Sequence, residues 1–142
     1  MIFNKTKFGF SSSSPINTRA SAFRILVIDD EPDVLEAVRL NLRKTGWSIS
    51  ATSNPKEGFE LAMAFQPSVI LCDASMPVLS GPQVIQMLKD EPATAHIPVV
   101  LMTGIAEAFM FEKVPWTGFL AKPFAPAELR DAICSASVKW QQ

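Results

Sequence analysis

The stretch that decides the fold is Arg24-Ile25-Leu26-Val27-Ile28-Asp29-Asp30-Glu31-Pro32, residues 24–32. Its first part is a short apolar run with β-branched side chains, which is typical of a strand buried on both faces of a parallel sheet. Three acidic residues end this run, and the proline after them suits the first turn of a helix. The stretch therefore predicts a buried strand that leads through an acidic turn into a helix.

The same order of strand, polar turn and helix recurs along the rest of the chain. After Pro32, apolar residues at helical spacing predict a first helix, which Gly46 is predicted to end. Further strands are predicted over residues 47–52, 69–72, 98–102 and 119–121, and further helices over about 54–66, from Gly81 onward, over 107–113 and over about 126–139. Such alternation predicts an α/β fold with a doubly wound, five-stranded parallel sheet and helices on both faces.

Composition limits the classes of protein to which the chain can belong. Its 142 residues fit one domain, and a hydrophobic fraction of 48% allows a substantial core. The net charge of −1 disfavours binding to nucleic acid or to an anionic membrane surface. Since no apolar run approaches the roughly 20 residues that a spanning helix needs, we expect a soluble, cytoplasmic protein. The Ser-rich residues 1–22 lack periodicity and are predicted to be a flexible extension of a domain over 23–142.

Polar side chains stand at the carboxyl ends of several predicted strands, namely Asp29, Asp30, Asp73, Thr103 and Lys122. Folding would gather them at one edge of the sheet, where doubly wound folds bind their ligands. Three carboxylates that close together need compensating positive charge. Lys122 can supply part of it, and Mg²⁺, or Mn²⁺ in its place, prefers oxygen ligands of this kind. We therefore predict a metal site formed by the three aspartates.

The same residues suit phosphoryl transfer, which requires an aligned nucleophile and neutralised phosphoryl oxygens. The carboxylate of Asp73 can attack phosphorus, Lys122 can hold one phosphoryl oxygen, and Thr103 can donate a hydrogen bond to another. The product would be an acyl phosphate. The spacing of Cys72, Cys134 and His96 suits no common metal site, so the cysteines are interpreted as reduced thiols.

Four motifs together resemble the receiver domain of two-component response regulators, and the resemblance covers about residues 23–139. They are Val27-Ile28-Asp29-Asp30-Glu31-Pro32, Cys72-Asp73-Ala74-Ser75-Met76-Pro77, Met102-Thr103-Gly104 and Ala121-Lys122-Pro123-Phe124. The resemblance implies a flavodoxin-like fold with strand order 2-1-3-4-5. It also implies that Asp29 and Asp30 are the acidic pair, Asp73 the phosphoacceptor, Thr103 the switch hydroxyl and Lys122 the conserved-type lysine, with Phe119 as the switch aromatic and the Ser75 main-chain carbonyl as a metal ligand.

The resemblance implies a function and its partners as well. A histidine kinase or a histidine phosphotransfer protein would donate the phosphoryl group to Asp73, and the altered face would then engage a downstream protein that the sequence does not identify. The family also allows a homodimer. Such a chain is a signalling domain and not an enzyme with a separate substrate, although it assists its own Mg²⁺-dependent phosphorylation and dephosphorylation.

Two alternatives remain beside this interpretation. A receiver-like interaction module would keep the fold without being phosphorylated, and the presence of every chemistry-bearing residue argues against it. An aspartyl-phosphate hydrolase of the haloacid dehalogenase type predicts an aspartate two positions after the nucleophile, where Ser75 stands instead. The segment from Thr103 to Lys122 is shorter than is usual for receivers, which predicts an atypical partner surface with apolar residues from 109–111 and 116, or else their burial in the core.

Overall fold

The computed structural model describes residues 23–104 and 117–141. Its strands are β1 (Arg24–Ile28), β2 (Ser48–Thr52), β3 (Val69–Asp73), β4 (Val99–Gly104) and β5 (Gly118–Lys122), and its helices are α1 (Pro32–Leu42), α2 (Pro55–Phe65), α3 (Gly81–Asp90) and α4 (Pro126–Gln141). The helix predicted over 107–113, the apolar surface predicted at 109–111 and 116, and the N-terminal extension lie outside the described residues.

The five strands form one parallel sheet in the order β2-β1-β3-β4-β5. Both the predicted doubly wound sheet and the strand order implied by the resemblance are confirmed. β1 lies inside the sheet, where Ile25 pairs with Ile49 of β2 on one side and with Val69 of β3 on the other. This position explains why the first strand is apolar at every residue after Arg24.

Side chains alternate along each strand between two separate cores, one on each face of the sheet. Leu26 and Ile28 of β1 pack in the core that α2 and α3 cover, which includes Ala62 and Val84. Ile25 and Val27 pack in the opposite core, which α1 and α4 cover with the fully buried side chains Val38, Leu42, Leu129 and Ile133. The helices predicted from apolar periodicity therefore face the sheet as expected.

The helix N-termini follow the capping signals in the sequence. Asn54 Oδ1 accepts hydrogen bonds from the backbone N–H groups of Lys56 (2.9 Å) and Glu57 (3.2 Å), as predicted for the start of α2. The Glu57 side chain extends toward the end of β2, where it accepts a hydrogen bond from the Thr52 hydroxyl and not from the Asn54 backbone N–H. At α3, Ser80 and Gln83 form a reciprocal capping box.

Several predicted boundaries differ from the structure, and two of these differences have a direct physical cause. The helix predicted to continue toward Gly46 ends at Leu42, because the Thr45 N–H and hydroxyl both bond to the Leu42 carbonyl and close the last turn. Gly46 follows with φ +83°, a conformation that glycine adopts without strain. Thr103, predicted to follow the fourth strand, lies within it, because its backbone pairs with Ala121 of β5.

No helix in the described part of the chain is both long enough and apolar enough to cross a membrane.

The core packing predicts different effects for two leucine truncations. Leu101→Ala removes a fully buried side chain from the core under α2 and α3, and should lower the free energy of unfolding by about 2–5 kcal/mol. Leu40→Ala is the matched control, since Leu40 is 52% exposed on α1 and its loss should change stability by less than about 0.5 kcal/mol. Urea unfolding measures both, and equal effects would contradict the described core.

Candidate functional site

The site lies at the carboxyl edge of the sheet, where β1, β3 and β5 deliver Asp29, Asp73 and Lys122. Along each strand these residues continue the row of side chains that enters the core under α1 and α4, since Val27, Leu71 and Leu120 precede them by two positions. All three side chains therefore emerge on the same face of the sheet. The strand order brings together residues that are 44 and 49 positions apart in sequence.

Lys122 occupies the centre of this arrangement. Its Nζ lies 2.8 Å from Asp29 Oδ2, 3.1 Å from Asp73 Oδ1 and 3.1 Å from Glu31 Oε1. The contacts with Asp73 and Glu31 are hydrogen bonds, whereas the contact with Asp29 is an ion pair outside hydrogen-bond geometry. The Lys122 side chain is only 18% exposed, so its charge interacts with those of the buried Asp29 and Asp73 with limited screening by water.

Asp29, Asp30 and Asp73 form the carboxylate cluster predicted from the strand ends. One oxygen from each lies within 4.8 Å of the others. Asp29 Oδ1 accepts a hydrogen bond of 2.9 Å from the Glu31 backbone N–H. Asp29 Oδ2 is buried and has no hydrogen-bond donor among the described residues. The Lys122 ammonium, 2.8 Å away, places positive charge beside this buried oxygen.

Burial and mutual repulsion change the ionisation of these groups. Burial, and secondarily the charge of Asp29, raise the pKa of Asp73 to about 6. Burial likewise raises the pKa of Asp29, although Lys122 and the Glu31 backbone oppose the shift. Burial alone would lower the pKa of Lys122, but its contacts with Asp29 and Asp73 outweigh that effect and raise it. The lysine is therefore always charged at neutral pH.

The other predicted site residues differ in how far the structure describes them. Thr103 is 3% exposed and directly follows Met102, the partner of Asp73 across the sheet. Phe119 of β5 is half-buried and pairs with Leu101. Ser75 is exposed and its backbone N–H lies 3.5 Å from Asp73 Oδ1. The switch roles of Thr103 and Phe119 and the metal contact of the Ser75 carbonyl stay predictions.

Cys72, directly before Asp73, is fully buried in the core under α2 and α3. Burial, followed by the charges of Asp73 and Asp29, strongly raises the pKa of its thiol. The thiol is therefore neutral, and Cys72 is a free cysteine that packs in the core. His96 is exposed at the surface.

Two residues that shape the site were not assigned a role from the sequence. Glu31 lies within the acidic motif, but its contact with Lys122 spans 91 positions, and no local spacing indicates it. Gly81 begins α3, and its backbone N–H donates a 3.0 Å hydrogen bond to the Ala74 carbonyl. A Cβ atom at this position would lie 2.2 Å from the Asp73 carbonyl oxygen. The sequence places Gly81 at the end of the loop that leads into α3, but does not indicate this approach to the backbone of the site.

Gly81→Ala should therefore disturb the site. The added methyl group would meet the Asp73 and Ala74 backbone, so the strand end and the helix must separate, and we expect a loss of about 1–3 kcal/mol in the free energy of unfolding. Gly46→Ala is the control, because a Cβ there meets nothing within 4 Å and only the positive φ is unfavourable. Chemical denaturation and the amide chemical shifts of residues 73–75 measure the effect; unchanged shifts would contradict the close approach.

Asp73→Asn should stabilise the metal-free protein at pH 7.5 by about 3 kcal/mol, because it removes a carboxylate whose ionised form burial disfavours. The pKa of Asp73 is about 6 in the folded protein, against an ordinary value of 3.8 that applies to the unfolded chain. This carboxyl therefore makes stability fall as pH rises from about 4 to 6. Below pH 4 the difference between the proteins should shrink. Unfolding curves at several pH values test this, with exposed Asp131→Asn as the control, and a pH-independent difference would contradict it.

Comparison with known proteins agrees with this geometry. The family model described as the response regulator receiver domain matches residues 25–134. Among curated proteins, the chain is 32% identical over 111 residues to the DNA-binding transcriptional regulator RpaA of Synechocystis, covering 75% of this chain and 45% of that protein. It is 30% identical to Protein Rrf1 of Nitratidesulfovibrio vulgaris, covering 75% of this chain and 76% of that protein. The chain thus spans about half the length of RpaA and of Rre1, another Synechocystis relative.

Solved structures show the same fold. A response regulator receiver domain protein from Clostridium thermocellum superimposes with a TM-score of 0.74 at 28% identity, covering 84% of this chain and 97% of that one. The receiver domain of a sensor histidine kinase from Pseudomonas aeruginosa, solved with a magnesium ion in its active-site cleft, has a TM-score of 0.76 at 21% identity, with coverage of 83% and 99%. The chain belongs to the response regulator receiver domain family.

Proposed function

We propose that this receiver domain accepts a phosphoryl group on the carboxylate of Asp73. The observation that carries the proposal is the position of the Lys122 ammonium, which contacts both Asp73 Oδ1 and Asp29 Oδ2 at the edge of the sheet. A lysine at this distance can hold an oxygen of the phosphoryl group that Asp73 receives. Thr103, one position beyond the strand partner of Asp73, is proposed to donate a hydrogen bond to another such oxygen.

The carboxylate cluster fits a divalent metal ion. Its donors are carboxylate oxygens, which Mg²⁺ prefers as ligands, and they lie within 4.8 Å of one another. We propose that Asp29, Asp30 and Asp73, with the Ser75 main-chain carbonyl, hold Mg²⁺ or Mn²⁺. When bound, the metal ion supplies positive charge to the phosphoryl oxygens. The magnesium ion in the histidine-kinase receiver domain supports this assignment.

The proposed reaction forms one bond and breaks another. An Asp73 carboxylate oxygen attacks phosphorus as the bond between phosphorus and a donor imidazole nitrogen breaks, and the imidazole keeps the electron pair of that bond. The attack requires an ionised carboxylate, and its pKa of about 6 leaves most of Asp73 ionised at neutral pH even without metal. Lys122 then exchanges its contact with Asp73 for one with the transferred group.

The proposed donor is a histidine kinase or a histidine phosphotransfer protein. A groove of about 360 Å³ beside Lys122 supports docking of a protein donor, because Val34, Ala37, Pro123 and Phe124 give it an apolar lining next to the site.

The proposed output is a change at the face that carries Phe119, which a downstream protein would recognise. Homodimerisation through that face is a further proposed outcome. We propose that the chain acts in signalling in the cytoplasm. We also propose that it does not contact nucleic acid directly and does not act on a separate enzyme substrate.

Intact-mass measurement after incubation with acetyl phosphate and Mg²⁺ tests the proposal. The wild-type chain should gain the mass of one phosphoryl group, since Asp73 is the expected acceptor, while Asp73→Asn should gain none. Omitting Mg²⁺, or adding a chelator, should slow the gain by at least about tenfold.

The control variant is Asp131→Asn, which removes an exposed carboxylate on α4 and should be phosphorylated like the wild type. An adduct in neither wild type nor control would contradict the proposal and favour an interaction module that is not phosphorylated. An adduct that persists in Asp73→Asn would assign a different acceptor.

A further inference from the structure

Glu31 holds the N-cap position of α1 without capping the helix. Its backbone is extended, and its side chain forms no hydrogen bond with the N–H groups of the first turn. Residues with short oxygen-bearing side chains are preferred at this position, and α2 and α3 use Asn54 and Ser80 there. α1 therefore lacks a stabilising cap, and the position serves a different contact.

That contact joins Glu31 to Lys122. Oε1 accepts a hydrogen bond of 3.1 Å from Nζ, while the Glu31 backbone N–H donates to Asp29 Oδ1. The Glu31 side chain is 63% exposed, whereas those of Asp29 and Asp73 are 0% and 6% exposed. Glu31 is thus the outermost of the three carboxylates on this lysine, and it borders both the acidic cluster and the apolar groove beside it.

We propose that Glu31 is a specificity-determining residue that disfavours small anionic phosphodonors and favours a protein donor with a basic side chain near its phosphohistidine. The inference rests on the proposed function, because it concerns which molecule delivers the phosphoryl group to Asp73.

The expected effect of Glu31 is electrostatic. A phosphodonor that approaches Asp73 brings negative charge toward Lys122, and the Glu31 carboxylate both repels this charge and shares the ammonium that would attract it. A small anionic donor such as acetyl phosphate has no positive group to offset the repulsion. A protein donor with a lysine or arginine beside its phosphohistidine can pair with Glu31, which releases Lys122 for the phosphoryl oxygen.

Asp33 provides a matched control. It lies two positions further along the same helix, is exposed, and lines the same groove as Glu31. The ion pairs found for Lys122 within the described residues involve Asp29, Glu31 and Asp73, and Asp33 is not among them. Asp33→Asn and Glu31→Gln therefore remove the same charge from neighbouring sites, but only Glu31→Gln changes the contact with Lys122.

The experiment measures rates of phosphorylation of the full chain in Mg²⁺ with two small donors, acetyl phosphate and phosphoramidate. Near neutral pH the former carries about two negative charges and the latter about one net negative charge. Glu31→Gln should raise the rate with acetyl phosphate by about 3- to 10-fold, and the rate with phosphoramidate by a smaller factor. Both gains should decline in 0.5 M salt, since the side chain is exposed to ions.

Asp33→Asn should change either rate by less than about twofold. Equal gains in the two variants would overturn the proposal, because net charge alone would explain them. A gain independent of donor charge and of salt would also overturn it, and so would a lower rate in Glu31→Gln, which would show that Glu31 assists Lys122. If the wild type is not phosphorylated at Asp73 at all, the proposed function fails; a phosphorylated wild type with unchanged Glu31→Gln rates refutes this inference alone.

Discussion

The contact between the Lys122 ammonium and buried carboxylates is the interaction on which the site depends. Asp29 and Asp73 are almost fully buried, and carboxylates in that setting tend to take up a proton unless positive charge stands beside them. Lys122 lies within about one hydrogen-bond length of both, and its own raised pKa reflects the same attraction. The ammonium of Lys122 therefore helps the buried carboxylates at the edge of the sheet to stay ionised.

The remainder of the fold maintains this contact. β1, β3 and β5 lie in one parallel sheet, so their carboxyl ends meet at a single edge. The two cores hold those strands from opposite faces, with fully buried residues such as Leu26 on one and Leu71 on the other. The close approach of Gly81 to the Asp73 carbonyl joins α3 to the same edge. Packing far from the carboxylates thus determines the distances between them.

The site retains an imbalance of charge in the described residues. Asp29, Glu31 and Asp73 contact one ammonium, and Asp30 adds a fourth carboxylate beside Asp29 and Asp73. Such an arrangement favours a further cation over a neutral ligand. The exposed Glu31 carboxylate adds negative charge on the solvent side of Lys122. There it affects the approach of an anionic donor more than it affects the reaction at the buried Asp73.

The sequence by itself determined the fold and most members of the site. Apolar runs and helical periodicity predicted the strands and helices of the described residues, since burial in a parallel sheet demands such patterns. The strand-end positions of Asp29, Asp73 and Lys122 predicted one cluster because parallel strands end at one edge. Two carboxylates and an ammonium at one edge are also the groups that phosphoryl transfer requires, whatever the distances between them.

Only the tertiary structure decided which atoms meet. The contact of Glu31 with Lys122 joins residues 91 positions apart, and the approach of Gly81 to the Asp73 carbonyl depends on how α3 packs. The end of α1 at Leu42, ahead of Gly46, depends on a hydroxyl contact of Thr45 that apolar periodicity does not register. A sequence pattern records what each residue can do locally, whereas distances of a few ångströms between strand ends follow from the packing of the whole sheet.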